Sequence, residues 1–143
     1  MSATLVLDTN IVLDVFVFAD AAALPVREGL QSGGLDWLAT RAMRDELERV
    51  LAYPQIVPRL AFYGLDADAV LAGFDRHARL VDVPPKASVT CKDADDQKFI
   101  DLAVAHKSVL LSKDKAVLAL RKRLAGWRVP VAKAMPESGP HSV

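Results

Sequence analysis

The stretch Leu5-Val6-Leu7-Asp8-Thr9-Asn10 runs an unbroken apolar segment into a carboxylate, a hydroxyl and an amide. A continuous Leu/Val run this short predicts a strand covered on both faces, because no position alternates toward water. The polar triplet then marks where the chain leaves the sheet at its carboxyl edge, the side on which open α/β sheets gather their ligands. Residues 109–111 form a second such run, followed by Ser112-Lys113-Asp114. In a parallel sheet these two runs bring Asp8 and Asp114 to one edge.

The rest of the chain supplies the alternation such a sheet needs. Asn10 is the expected cap of a helix over 11–18, and Pro25 suits the first turn of a helix over 24–31 that Ser32-Gly33-Gly34 ends. Residues 35–39 read as a strand, with Thr40 capping a helix over 41–52 whose Met43, Leu47, Val50 and Leu51 make a core-facing stripe. A short helical excursion over 55–63 closes at Gly64, and Asp66 opens a helix to His77. A strand is expected over 80–83 with Pro84-Pro85 behind it, then a loop over 86–92. The helix opened by Asp93-Ala94-Asp95-Asp96 turns Phe99, Ile100 and Ala103 inward. After the 109–111 strand come a helix to Leu124 and a strand over 127–131. Strands separated by helices in this order predict a three-layer α/β/α fold, a five-stranded parallel sheet with helices on both faces. Residues 1–135 form one domain and 136–143 a loose tail rich in Pro, Gly and Ser.

Composition bounds the function. With 143 residues and 52% hydrophobic side chains, the chain can bury one proper core. Its 18 basic and 18 acidic residues cancel, so a polyanion must be held by local patches or metal ions rather than by a global field. Cys91 is the single cysteine, which offers neither an internal disulfide nor a zinc set and points to a reducing, cytoplasmic setting. No apolar run approaches the roughly 20 residues of a membrane helix, and the N-terminus lacks signal-peptide features, so no membrane association is expected.

Two further acids complete a constellation. Glu46 falls at the margin of the apolar stripe of its helix, and Asp96 lies in a first helical turn ahead of Phe99 and Ile100, on the buried side. Taken singly, each acid also suits an ordinary cap or exposed helix position, and Asp93 and Asp95 are alternatives to Asp96. Taken together, Asp8, Glu46, Asp96 and Asp114 would repel one another unless they bind protons or share a cation. Oxygen donors without clustered Cys or His favour Mg²⁺ or Mn²⁺, with Thr9, Asn10 and Ser112 orienting the carboxylates. Such an ion suits metal-assisted hydrolysis of a phosphodiester.

With these residues in hand, the chain resembles the PIN-domain nucleases, in particular the stand-alone prokaryotic toxins of toxin–antitoxin pairs. The likeness rests on Asp8-Thr9-Asn10 after the first strand, Arg44-Asp45-Glu46-Leu47-Glu48-Arg49-Val50-Leu51, Asp93-Ala94-Asp95-Asp96-Gln97-Lys98-Phe99 and Leu111-Ser112-Lys113-Asp114-Lys115. It implies that Asp8, Glu46, Asp96 and Asp114 are the acidic quartet and that Asn10 and Ser112 are its polar companions. It further implies cleavage of single-stranded RNA with Mg²⁺ or Mn²⁺, a homodimer, and a cognate antitoxin. Similar proteins often carry another acid two residues past the last one, where this chain has Ala116.

For holding phosphates, Arg41, Arg44, Lys92, Lys98, Lys113 and Lys115 lie near the expected edge, whereas Arg121-Lys122-Arg123 suits a helix dipole. Trp37, Phe74 and Phe99 fit core positions better than base-stacking platforms. His77, His106 and His141 show no ligand spacing. Two rival readings stand beside the nuclease: a receiver-like phosphoacceptor domain, which leaves Glu46 unexplained, and a catalytically inactive partner-binding module.

Overall fold

Leu5 and Val6 have no exposed surface, as an apolar run between two helical layers requires. In the computed structural model, which describes residues 3–135, they belong to β1 (Ala3–Leu7). The expected tail over 136–143 lies outside the described residues. β1 pairs in parallel with β2 (Leu35–Ala39), which pairs with β3 (Ala78–Leu80), and on its other side with β4 (Val109–Leu111), which pairs with β5 (Val131–Ala132). The sheet order is β3-β2-β1-β4-β5. The chain therefore builds outward from β1 in one direction and then returns to build in the other, and the reversal falls between β1 and β4. Ligand crevices open at the carboxyl ends of strands flanking such a reversal.

The helices are α1 (Thr9–Phe16), α2 (Leu24–Ser32), α3 (Arg41–Leu51), α4 (Val57–Phe62), α5 (Ala67–His77), α6 (Gln97–His106), α7 (Lys115–Leu118) and α8 (Arg121–Ala125). Together with the sheet they make the three-layer α/β/α fold. Gly33 takes the left-handed φ of +81° that ends α2 and turns the chain toward β2. Trp37 anchors the β2 side of the core: it is 1% exposed, meets Phe74 edge-on at 4.8 Å and stacks on Phe16 at 5.8 Å. Phe74 and Phe99 are buried as well, so all three aromatics are core residues.

Three local expectations shift. Asp8, not Asn10, caps α1, because its carboxylate accepts the otherwise orphaned Ile11 N–H at 3.0 Å and the helix begins two residues earlier. The third strand lies at 78–80 rather than 80–83: α5 passes into it without a loop, and Arg79 locks it to β2 through bonds of 3.2 and 2.8 Å to Asp36. The fifth strand begins only at Val131, since Trp127 still bonds back to Leu124 and Arg128 turns the chain with φ +64°. Among the described residues, no single helix is long and apolar enough to cross a membrane.

Candidate metal centre

The switch point between β1 and β4 is held at atomic scale. The Asp8 N–H donates to the Leu111 carbonyl at 3.1 Å, carrying the β1–β4 ladder one residue past the strands. Ser112, fully buried, then donates its hydroxyl to Asp8 Oδ2 and accepts the Asp114 N–H at 3.0 Å. Asp114 in turn caps α7 by accepting the Ala116 N–H at 2.8 Å. Capping and site membership are thus not alternatives for Asp8 and Asp114: the bonds that cap the helices also aim the carboxylates. At the position where an extra acid was considered, Ala116 contributes a backbone donor.

The third wall comes from the segment before α6. Asp93 accepts the Asp95 N–H at 3.0 Å, opening a 3-10 turn over Ala94–Asp96 that runs directly into α6. Gln97 steadies the preceding loop, accepting from Cys91 N at 2.7 Å and donating to Val89 O at 2.9 Å. Asp95 stays exposed, while Asp96 is carried inward. Ligand oxygens of Asp93, Asp96 and Asp114 lie within 4.8 Å of one another. Between the two adjacent acids left open by the sequence, the structure therefore brings Asp96 to the cluster. It also adds Asp93, which the sequence offers as an alternative to Asp96 rather than as a companion to it.

Asp8, Thr9, Asn10, Glu46, Asp96 and Asp114 all line one pocket, together with Val50 and Phe99. Glu46 enters it from α3, but its oxygens are already engaged: Oε1 accepts the Thr9 hydroxyl at 2.5 Å and Oε2 the Lys98 ammonium at 2.9 Å. Asn10 is exposed at the rim. Among the described residues, no histidine lines this pocket; His77 instead stacks against Phe16 near the end of α1 away from Asp8. Most of the basic residues expected to grip phosphates already have partners. Arg44 makes a two-pronged pair with Asp75 at 2.7 and 2.9 Å, Arg41 meets Asp45, and Lys113 meets Asp14 at 2.5 Å. Asp14 was not foreseen: inside an otherwise apolar helix stretch it is 7% exposed, and only the lysine beside Asp114 explains it.

Electrostatics mark Asp96. Burial first, then repulsion from Asp114 and Asp93, pushes its carboxyl from 3.8 up to about 7. Burial, tempered by the Ser112 bond, raises Asp8 as well. Among the described residues, Asp96 Oδ2 is a buried atom with no hydrogen-bond partner. An all-oxygen donor set, a partnerless buried carboxylate oxygen and mutual repulsion together fit a hard divalent cation. A carboxyl that binds its proton more tightly folded than unfolded adds stability below about pH 4 that is lost as pH rises through about 7. Thermal melts of metal-free protein are thus expected to fall between pH 5 and pH 8; a rise over that window would contradict the clustering of these acids.

A family model described as the PIN domain matches residues 4–116. The chain belongs to the PIN-domain family. The matched span of this PIN domain begins in β1 and ends just beyond Asp114, so it contains every acid of the pocket. PIN domains are generally nucleases and usually use divalent metal ions, and the cluster of Asp93, Asp96 and Asp114 could bind one. No curated protein matches the chain.

Proposed function

We propose that this PIN domain is a metal-dependent endoribonuclease that hydrolyses phosphodiester bonds of single-stranded RNA and serves as the toxin of a toxin–antitoxin pair. The observation that carries the reading is the open group of Asp93, Asp96 and Asp114 carboxylates at the β1/β4 switch point, with one buried oxygen lacking a protein partner. Asp96 and Asp114, with Asp93, would hold Mg²⁺ or Mn²⁺, while Asp8 and Glu46 complete the acidic wall. When bound, the ion supplies neutralisation of phosphate charge and acidification of water, the two needs of phosphodiester hydrolysis.

The chain's own groups do the rest. Ser112 fixes the Asp8 and Asp114 walls relative to one another, and Thr9 orients Glu46. Loading the site displaces the proton from Asp96, so apparent metal affinity rises with pH through about 7. Lys92 and Lys115, exposed beside the pocket segments, remain available for flanking phosphates. The phosphoacceptor reading needs a free carboxylate after β1. Asp8 is 3% exposed and both its oxygens accept hydrogen bonds, which counts against that reading.

Labelled single-stranded RNA incubated with the protein is expected to be cut in Mg²⁺ or Mn²⁺, spared after chelation, and spared by Asp114→Asn. Cutting that survives chelation would overturn the metal-dependent reading, and an intact substrate under all conditions would favour the inactive partner-binding module. For the wider role, we infer a homodimer and a co-encoded antitoxin. Light scattering and co-expression of the neighbouring reading frame test these.

A further inference from the structure

The acids in and beside the pocket include two groups with different partners. On one side Asp93, Asp96 and Asp114 collect their oxygens within 4.8 Å, and Asp96 Oδ2 has no partner among the described residues. On the other, each oxygen of Glu46 is taken, by Thr9 at 2.5 Å and by Lys98 at 2.9 Å. Lys98 is itself fixed: its ammonium also donates to the Asp95 carbonyl and sits 4.8 Å from the Phe99 ring centroid. Both partners of the pair are shielded, with side chains 28% and 20% exposed. This is a shielded ion pair bridging α3 and α6, unlike the exposed Arg41–Asp45 pair.

The charge count gives the pair a consequence. Of the carboxylates Asp8, Glu46, Asp93, Asp96 and Asp114, only Glu46 is ion-paired among the described residues, and Lys98 is its partner. We propose that Lys98 is a resident cation that holds Glu46 out of the inner ligand set, leaving the divalent ion to Asp93, Asp96 and Asp114 and the pocket less repulsive to an incoming phosphodiester. Lys98 is thus a positioning residue, and the inference rests on the metal-dependent nuclease reading given above. Loss of the ammonium acts on the two ligands in opposite senses. The ion gains a freed carboxylate and a more negative pocket, while the polyanionic substrate meets stronger repulsion. A lysine that merely braced the fold would loosen ion binding along with everything else.

The test is a calorimetric titration of Mn²⁺ into the chelator-stripped full chain, paired with steady-state RNA cleavage. Lys98→Gln is expected to bind Mn²⁺ about fivefold more tightly, the scale on which a unit charge beside a partly solvated site acts on a divalent ion, and to raise KM for RNA. Lys98→Met should behave as Lys98→Gln does, and Lys98→Arg should stay near wild type. Adding Glu46→Gln to Lys98→Gln should cancel the gain, returning the Kd to within about twofold of wild type, since the two residues act as one unit. Unchanged or weaker Mn²⁺ binding in Lys98→Gln, or a gain that survives Glu46→Gln, overturns the inference while leaving the metal centre standing. Wild-type protein that takes up no Mn²⁺ overturns the metal-centre reading beneath it.

Discussion

Asp96→Asn is expected to lower metal-dependent RNA cleavage by about a hundredfold, the upper end of what losing even an outer partner of a metal ligand costs, while making the metal-free protein more stable at pH 8. The two effects share one cause. A carboxyl pushed up to about 7 by burial and by Asp114 and Asp93 is costly when charged, and the amide keeps its shape without the charge. The gain at pH 8 should be about 1–2 kcal/mol, reduced by the water that still reaches a half-buried side chain. It should shrink as pH falls below about 7 and vanish only near pH 3 to 4, where the carboxyl is protonated in the folded and the unfolded chain alike. Single-turnover cleavage at pH 8 and melts across this pH range read this directly. Asp95→Asn is the control: its side chain is exposed, and both rate and melt should stay close to wild type. Equal loss in the two variants would remove Asp96 from its place.

The largest effect on the fold is expected at Trp37. Truncation to alanine empties a fully buried site in β2 and breaks the edge contact to Phe74 and the stacking on Phe16. Such changes cost about 3–5 kcal/mol, a large share of the roughly 5–15 kcal/mol that holds a domain folded. A drop in Tm of about 10–15 °C follows for a chain of this size. Trp37 does not line the acidic pocket, so cleavage per folded molecule should persist well below the melt. Activity lost at temperatures where circular dichroism shows intact protein would mean that β2 and the pocket are coupled more tightly than the contacts indicate.

Where a segment ends in a buried apolar run, its reading from sequence was secure. β2 and β4 fall on the expected residues, and β1 begins only slightly earlier, because the carboxyl halves of these central strands are sealed on both sides and can contain little else. The edge strands carry no such signature. In β3, Arg79 and Leu80 are exposed, so the pattern drifted toward the following Val81 and Val83. The topological argument for Asp8 and Asp114 needed only the strands, and the structure places both in one pocket. Glu46 was traceable from its helical angle. What its carboxylate bonds was not, since Thr9 and Lys98 reach it from distant parts of the chain. That Asp93 joins Asp96 instead of replacing it was not legible, because one of its oxygens does satisfy a turn and a capping motif looks the same in sequence whether or not the residue has a second use. Asp14 could have been suspected as a lone acid in an apolar helix, but nothing in the sequence pointed to Lys113 as its partner.

The position of β1 also sets the order in which the molecule can come into being. Leu5 lies beside Trp37 on one side and Val109 on the other, so the second neighbour leaves the ribosome long after the first. Until then one flank of β1 presents bare peptide groups, an invitation to wrong partners that a chaperone would need to mask. The same delay withholds Asp96 and Asp114 from Asp8. An unfinished polypeptide therefore carries half a pocket, and the cutting activity proposed for it is kept from the transcript and the ribosome that are making it until Asp114 has been added and has reached the sheet edge.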